Sequence, residues 1–276
     1  MNESTNVDDD RDLQPGYRLA AGGREQAEDE RLELLQEIYD PSTLMLRDFV
    51  QPGWRCLEVG AGRGSVAVWM AERVGKSGHA VATDIDVSFL ERVAAANLEV
   101  RRHDLLGDPM DELGEGTFDV VCARLLLFWL AGEQGEAIRR MVSLLRPGGW
   151  LVDEDGDWGT PVPVDPTHPL SAGYERAFGA GEWWSLRGYD PFFGRKLPVL
   201  FDHCGLTNIT HAASTEVVRG ASPWARWWQS SLDAITHARE PAEGDLADLA
   251  DLSMVCMDPT AWLMRELLHG CVGQRV

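Results

Sequence analysis

The pattern of apolar and polar positions divides the first 155 residues into alternating strands and helices. Short apolar runs predict strands over 55–59, 79–83, 98–101, 118–123 and 150–153. Apolar residues at helical spacing predict helices over 26–39, 43–50 and 66–74, around 90–94, and through Ile138, Met141, Val142 and Leu145. Because parallel strands need helical crossovers, this alternation predicts an α/β fold with a doubly wound, mostly parallel sheet.

The regular alternation ends near Asp155, and the rest of the chain is rich in glycine, proline and aromatic residues. Helices are predicted around 170–180, 195–204, 224–236 and 246–254, with a strand over 207–219 and a closing strand within 264–276. We expect a disordered tail (1–15), an N-terminal helical cap (16–52), a ligand-binding core (53–155), an inserted substrate cap (156–205), and the remainder of the sheet with further cap helices (206–276).

Composition and charge restrict the expected partners and location. The 276 residues carry a formal net charge of −20 and no run rich in Lys or Arg, so we do not expect a nucleic-acid partner. The acidic N-terminus does not resemble a signal peptide, and no apolar run approaches the roughly 20 residues that span a bilayer. We therefore expect no membrane partner and a cytoplasmic location. The oligomeric state has no signal in the sequence.

The five cysteines are scattered and form no CxxC pair, a pattern typical of reduced thiols rather than of disulfides or a zinc site. Cys56 and Cys122 lie inside predicted strands, where we expect buried structural thiols. No metal-ligand pattern is present elsewhere, so the prediction for metals is none.

Residues 57–66, LEVGAGRGSV, place three glycines directly after the first predicted strand. In an open parallel sheet, ligands bind beyond the carboxyl ends of the strands. Glycine lets a ligand approach the backbone closely because no side chain intervenes. Gly60, Gly62 and Gly64 therefore indicate a nucleoside-like ligand, although NAD, FAD and plain tight turns fit the same loop.

Three carboxylates near the predicted strand ends help to decide which of these ligands the loop binds. Asp84 could accept hydrogen bonds from both ribose hydroxyls, and Asp104 could meet an adenine amine. Glu58 would repel a pyrophosphate but attract a sulfonium or an ammonium group. The dinucleotide pattern also prefers Gly or Ala where this chain has Ser65. The charges therefore favour S-adenosylmethionine over a dinucleotide.

The segments LEVGAGRG, VATDID, RRHDLL, FDVVCAR and LLRPGGWLVDED, in this order, resemble the motifs of class I S-adenosylmethionine-dependent methyltransferases. The match covers residues 50–155, and the N-terminal GYRLAAGGREQAEDERL is similar to a cap of small-molecule (specialised-metabolite) members. The resemblance implies a methyltransferase enzyme with a seven-stranded Rossmann-like sheet and an α-helical, aromatic-rich cap. It also implies S-adenosylmethionine as cofactor and S-adenosylhomocysteine as product.

The same resemblance assigns residues to the cofactor. It places the loop of Gly60, Gly62 and Gly64 under the methionine part, with Glu58 supporting the loop. The remaining residues that it implies are Asp84 at the ribose, Ile85, Asp104 and Leu105 at the adenine, Ala123 and Arg124 at the methionine end, and Tyr17 and Arg31 over the methionine carboxylate. Structural alternatives stay open: Glu58 as a brace without cofactor contact, and Arg124 paired with a carboxylate at the end of the sheet.

Aromatic residues mark the expected acceptor site. Seven of the eleven tryptophans lie between Trp150 and Trp228, and such a cluster offers stacking and cation–π surfaces, although a cap core would use it equally well. The predicted acceptor-binding residues are Phe128, Trp129, Asp155, Trp158, Trp183, Trp184, Trp227 and Trp228. We expect a small aromatic or heteroaromatic acceptor from specialised metabolism, methylated on O, N or C.

Asp157 and His168 are the candidate general bases. C-methylation of an indole is one hypothesis, with Asp157 taking the ring N–H proton. Each residue also fits a plain turn or loop. A base is optional, since alignment alone supplies about 7–11 kcal/mol in the best intramolecular cases.

Two other functions share much of this pattern. An NAD-dependent oxidoreductase would use the glycines and Asp84, but the chain has only two lysines, Lys76 and Lys196, and no Tyr-x-x-x-Lys pair. A non-catalytic S-adenosylmethionine sensor would use the whole core and transfer nothing.

Overall fold

The computed structural model describes residues 25–42, 45–93, 95–160, 164–179, 189–238 and 245–276. Within these ranges, the strands are β1 (Arg55–Val59), β2 (His79–Asp84), β3 (Leu98–Arg102), β4 (Phe118–Arg124), β5 (Leu145–Asp157), β6 (Leu206–Ser214), β7 (Val217–Arg219), β8 (Trp262–Met264) and β9 (Leu267–Arg275). The helices are α1 (Glu25–Tyr39), α2 (Met45–Phe49), α3 (Ser65–Val74), α4 (Gln134–Leu144), α5 (Ser171–Gly179), α6 (Leu197–His203), α7 (Pro223–Ala238) and α8 (Asp245–Met257).

The described strands form a seven-stranded sheet in the order β3–β2–β1–β4–β5–β9–β6, and β7 pairs with β8 separately. The first five strands of that order run parallel to one another. β9 is antiparallel to both of its neighbours, β5 and β6. The predicted doubly wound, mostly parallel α/β fold is therefore confirmed.

The central strands are buried on both faces. Leu57 and Val59 of β1 pack with α4, whereas Cys56 packs with α3 on the opposite face. Cys56 and Cys122 are buried, as expected, and both are free thiols. Continuous apolar runs are typical of parallel strands because helices cover both faces, and this explains why the sequence located these strands well.

The strand predicted over 150–153 is longer in the structure, where β5 spans Leu145–Asp157, and two other predicted elements differ in kind. The helix expected around 90–94 is a single 3₁₀ turn over Leu90–Arg92, and Val93 already has an extended backbone (φ −97°, ψ 127°). Ala94 lies outside the described residues. Leu90 is fully buried against small alanine side chains of α3 and β2. Burial of this one leucine does not require a full helix. The strand expected over 207–219 is divided between β6 and β7, which belong to different sheets.

A second core lies above the carboxyl ends of the strands and forms the cap. There α1 packs against α7, α5 packs against α8, and α7 packs against α8. Its buried aromatic residues include Tyr39, Tyr174 and Trp224. The segment predicted as the substrate cap (156–205) does not lie wholly in it, because α6 packs against β6 and α4 with Leu197 and Phe201 in the sheet's core.

A buried carboxylate links the cap to the sheet. Glu266, 1% exposed, accepts hydrogen bonds from the Tyr39 hydroxyl (2.8 Å) and from Nε1 of Trp224 (2.7 Å). Arg265 Nη2 lies 3.2 Å from the same side chain. The cap helices α1 and α7 are thereby held to the residues that immediately precede β9. Among the described helices, none has the length and apolar character needed to cross a membrane.

Candidate functional site

A cleft lies between the cap and the carboxyl ends of the parallel strands, and we call it the outer cleft. Its empty space is about 1070 Å³, including its opening to solvent. The predicted site residues that line it are Arg31, Glu58, Gly60, Gly62, Asp84, Ile85, Arg124, Phe128, Trp129, Trp158 and Trp227. The structure therefore brings most of the predicted cofactor residues around one space.

The glycine loop needs glycine for two separate reasons. Gly60 and Gly64 have φ angles of 69° and 79°, in the left-handed region that disfavours side chains. A Cβ atom at Gly60 would lie 2.8 Å from Leu126, and one at Gly64 would lie 2.7 Å from Leu90. Gly64 also precedes the first residue of α3. The loop is thus fixed by packing beneath it, while Gly60 and Gly62 line the cleft.

Asp84 holds this loop from the end of β2. Its Oδ2 accepts a hydrogen bond from the Gly62 N–H (2.8 Å), and its Oδ1 accepts one from the Asp86 N–H (3.1 Å). Burial raises the pKa of Asp84 above its ordinary value, although the backbone N–H groups oppose the shift. Asp86 in turn accepts a hydrogen bond from the Ser88 N–H (3.0 Å) in the turn that follows. Asp84 is thus a loop brace with carboxylate oxygens at the cleft.

Glu58 is a buried carboxylate at the methionine end predicted from the motif. It is 4% exposed, its Oε2 has no hydrogen-bond partner, and burial raises its pKa to about 8 despite the nearby Arg124. Arg124 donates to Asp40 (2.7 Å), which also accepts from the Ser65 hydroxyl (3.0 Å). The ion pair that sequence reasoning left open for Arg124 is therefore present, and Arg124 lines the cleft as well.

Leu125, directly after β4, has an unusual backbone conformation. Its φ of 51° lies in the left-handed region, its N–H donates to the Glu154 carbonyl (2.8 Å), and it lines the outer cleft. A β-carbon makes this conformation unfavourable by about 1–2 kcal/mol. Strained backbone of this kind is often found at functional sites.

A second space opens beside the first, and we call it the inner cavity. Its empty space is about 440 Å³. It is lined by Arg31, Phe128, Trp129, Trp158, Tyr189, Pro191, Trp227, Trp228 and Ser231. Five of these residues, Arg31, Phe128, Trp129, Trp158 and Trp227, line the outer cleft as well. The two spaces are therefore adjacent, and the inner one is walled mainly by aromatic rings.

The rings of the inner cavity pack against one another. Phe128 lies 4.7 Å from Trp158, and Trp129 lies 4.4 Å from Tyr189, both measured between ring centroids. Trp228 meets Trp158 edge-on at 6.4 Å. These aromatic pairs make the cavity wall stiff, because each ring is held by at least one other ring.

Arg31 lies where the outer cleft and the inner cavity meet. Its described hydrogen bonds use Nε and Nη2, which donate to the two carboxylate oxygens of Glu28 at 2.8 and 2.6 Å. Both side chains are at least nine-tenths buried. Glu28 was missed in the sequence, although its position three residues before Arg31 on a predicted helix was an available signal.

Some predicted cofactor residues lie outside the lining of the outer cleft. They are Gly64, Asp104, Leu105 and Ala123. Asp104 accepts a hydrogen bond from the Leu106 N–H (2.9 Å), so its carboxylate stabilises the turn after β3. Leu105 and Ala123 are buried in the core beneath the sheet.

The predicted acceptor-binding residue Asp155 and the two candidate bases, Asp157 and His168, also lie outside the lining of both spaces. Asp155 accepts from the backbone N–H groups of Phe128 (3.1 Å) and Gly156 (2.9 Å), and burial raises its pKa to about 8. Asp157 is 1% exposed and forms a bidentate ion pair with Arg195 (2.8 Å for Nη2 to Oδ1). His168 lies 3.0 Å from Asp258. The structure thus gives Asp155 a role in positioning Phe128, and it engages both candidate bases in other contacts.

Three predicted site residues, Tyr17, Trp183 and Trp184, lie outside the described residues. Tyr189 and Ser231 line the inner cavity but were missed in the sequence. Ser231 follows Trp227 by four residues on α7, a spacing that places both on one helix face. No cluster of three or more His, Cys, Asp or Glu side chains suited to a metal ion occurs within the described ranges.

Comparison with known proteins identifies the core. A family model described as a methyltransferase domain matches residues 57–153. The nocamycin O-methyltransferase of Saccharothrix syringae is 35% identical over 136 residues, which cover 47% of this chain and 46% of that protein. The chain spans less than half of the length of the curated relatives that it matches.

Solved structures show the same fold at low identity. A cyclopropane-fatty-acyl-phospholipid synthase-like protein from Lactobacillus casei is 18% identical, with a TM-score of 0.55 over 91% of this chain and 94% of that one. The Haemonchus contortus phosphoethanolamine N-methyltransferase 2, solved with S-adenosylhomocysteine, is 14% identical, with a TM-score of 0.53 over 92% of this chain and 58% of that one. The family match therefore identifies residues 57–153 as a methyltransferase domain, and the glycine loop, strand-end carboxylates and sheet order fit the class I S-adenosylmethionine-dependent fold.

Proposed function

We propose that the protein transfers a methyl group from S-adenosylmethionine to a small aromatic or heteroaromatic acceptor. The observation that carries this proposal is the adjacency of the two spaces. The outer cleft has the glycine loop and carboxylates that suit the cofactor, and the inner cavity beside it is walled by Phe128, Trp129, Trp158, Trp227 and Trp228. Aromatic rings bind planar ligands by stacking and edge contacts.

The residues of the outer cleft fit the cofactor. Asp84 would hold the ribose hydroxyls, the loop of Gly60 and Gly62 would lie under the methionine part, and Arg31 would approach its carboxylate. The unpartnered Oε2 of the buried Glu58 fits a cationic ligand, since a nearby positive charge would offset the cost of ionising a buried acid. When bound, S-adenosylmethionine supplies an electrophilic methyl group, and the electron pair of the broken carbon–sulfur bond stays on sulfur.

The residues of the inner cavity would align the acceptor and exclude water. Within the described lining, the cavity offers no histidine or carboxylate that could take a proton. Alignment in a closed apolar space is therefore the main contribution that these residues make to the rate. This arrangement supports an acceptor that needs little help in losing a proton.

Three further parts of the proposal concern the metabolic role, the class of partner and the location. The similarity to a nocamycin O-methyltransferase supports a role in specialised metabolism. The net charge of −20 supports a small-molecule partner over nucleic acid, because phosphate backbones require basic surfaces. We propose a cytoplasmic location on the strength of the scattered free cysteines.

A transfer assay tests the proposed function. The protein would be incubated with methyl-¹³C-labelled S-adenosylmethionine and a panel of phenols, aromatic acids, indoles and amines. The products would be detected by mass and NMR, and the methyl shift would separate O-, N- and C-methylation. Cofactor binding without transfer to any acceptor would count against the proposal and favour a sensor.

A matched pair of variants links the transfer to the inner cavity. Trp228→Ala should raise the KM for the acceptor and spare cofactor affinity, because Trp228 lines only the inner cavity. Trp150→Ala is the control, since Trp150 packs beside Phe49 outside both spaces. Equal effects of the two substitutions on acceptor KM would show that the cavity is not the acceptor site.

A further inference from the structure

The inner cavity contains hydrogen-bond donors without a partner in the described part of the chain. Nε1 of Trp158, Nε1 of Trp227 and Oγ of Ser231 are buried and make no hydrogen bond. The three residues are only 4–5% exposed. An indole N–H can only donate, and a buried donor left unpaired costs about 1–3 kcal/mol. Three such groups on one cavity wall indicate a ligand that supplies acceptor atoms.

The donors come from two elements that border the same space. Trp227 and Ser231 lie one helical turn apart on α7, so their side chains share a face. Trp158 follows the last residue of β5, and its backbone N–H donates to the Pro191 carbonyl (2.8 Å). All three residues line the inner cavity. The residues that carry the donors therefore lie around one space instead of being scattered through the cap core.

The charges at this cavity have one sign. Arg31 is the charged residue among the described lining residues, which include no carboxylate. The acids nearest in sequence to Trp158 are engaged elsewhere: Asp155 accepts backbone N–H groups, and Asp157 pairs with Arg195. Glu58 and Asp84 line the outer cleft but not the inner cavity. Glu28, which pairs with Arg31 at 2.6 Å, lines the outer cleft and not the inner cavity. A cationic acceptor would therefore meet hydrogen-bond donors in the inner cavity and no carboxylate of its lining.

We propose that the inner cavity binds the acceptor as an oxyanion, a carboxylate, acidic enolate or phenolate on a planar apolar molecule. The donors of Trp158, Trp227 and Ser231 would hold its oxygen. The proposal rests on the proposed function and narrows its acceptor class. An acceptor that enters already ionised has no proton to lose, which accounts for a lining without a base.

The test measures binding and needs no methyl transfer. The probe is 4-nitrophenol, whose phenolate absorbs visible light and whose neutral form does not. Its pH titration would be recorded with and without excess protein holding S-adenosylhomocysteine. The bound probe should have a pKa at least one unit below that of the free probe, which is a tenfold preference for the anion. Ser231→Ala and Trp227→Phe should move the bound pKa back toward the free value, and Trp150→Phe should not.

Several results would overturn the proposal. They are a bound pKa equal to or above the free value, no binding of the phenolate, or tighter binding of the neutral 4-nitroaniline than of the phenolate. A bound pKa that stays unchanged in both Ser231→Ala and Trp227→Phe would show that these donors do not hold the oxyanion. The transfer assay separates this proposal from the proposed function, because methylation of amines alone would keep the function and refute the oxyanion site.

Discussion

Replacing Asp84 with alanine should weaken cofactor binding and loosen the glycine loop at once. The carboxylate accepts hydrogen bonds from the N–H groups of Gly62 (2.8 Å) and Asp86 (3.1 Å), and it lines the outer cleft. Alanine removes both acceptors and the predicted contact with the ribose hydroxyls. The substitution should therefore lower the stability of the ligand-free protein and, separately, the affinity for the cofactor.

The usual strength of a hydrogen bond to a charged group sets the expected size of both free-energy losses. A hydrogen bond to a charged group contributes about 1.5–3 kcal/mol. Loss of the ribose contact alone should thus raise the cofactor Kd by about 10- to 150-fold, at 1.4 kcal/mol for each factor of ten. The lost loop contacts should lower the free energy of unfolding by about 1–3 kcal/mol, since Gly62 lies at the cleft, where water can partly replace the carboxylate.

Isothermal calorimetry with S-adenosylmethionine and S-adenosylhomocysteine would measure the affinity, and urea unfolding would measure the stability. Asp86→Ala is the matched control, because Asp86 lies in the same cleft but its side chain accepts from the N–H of Ser88 and not from the glycine loop. Asp84→Asn should fall between wild type and alanine, since its amide oxygen keeps one acceptor. An unchanged Kd in folded Asp84→Ala, or equal losses in Asp84→Ala and Asp86→Ala, would refute the ribose assignment.

Three further predictions concern buried carboxylates. Burial raises the pKa of Glu58 to about 8 from its ordinary 4.5, so the folded chain retains a proton that the unfolded chain releases, and stability falls as the pH rises through this window. Glu58→Gln should therefore gain stability relative to wild type between about pH 5 and about pH 8 in urea titrations, and a constant difference would contradict the shift. Asp157→Asn should lower the free energy of unfolding by about 1–3 kcal/mol because Arg195 loses its partner, and it should keep kcat; lost turnover at full stability would identify Asp157 as a base. Trp224→Phe should destabilise the fold by about 1–3 kcal/mol by removing a donor from the buried Glu266, with cofactor affinity unchanged in calorimetry, and an unchanged thermal midpoint would show that this contact contributes nothing.

The sequence was sufficient to predict the core of the domain. β1 spans the predicted residues, and β2, β3 and β4 each extend one residue beyond the prediction. β1, β2 and β4 are largely buried, so local apolar runs bounded by polar or glycine residues carry the full signal, whereas β3 is a partly exposed edge strand. The positions of Glu58 and Asp84 follow from the same local pattern, because a residue's place at a strand end depends only on where the strand stops.

The local sequence pattern gave a wrong prediction where a shorter element was enough to bury the apolar residues. The positions around Leu90 have helical spacing, but one buried leucine against alanines is enough there, and the chain makes a single 3₁₀ turn. The candidate base Asp157 was chosen from its place after a strand, whereas its partner Arg195 lies 38 residues further on. A pairing between distant residues leaves no periodic signal in either segment.

The proposed acceptor site depends most on tertiary structure. The inner cavity combines side chains from α1, the ends of β4 and β5, the segment at Tyr189, and α7, and Tyr39 reaches Glu266 across 227 residues to hold the cap in place. The sequence by itself determined the fold class, the glycine loop and the cofactor type, because these depend on neighbouring residues. The lining and charge of the inner cavity were decided only when the folded chain brought these separate segments together, since its rings also pack across segments, as Phe128 does on Trp158 and Trp129 on Tyr189.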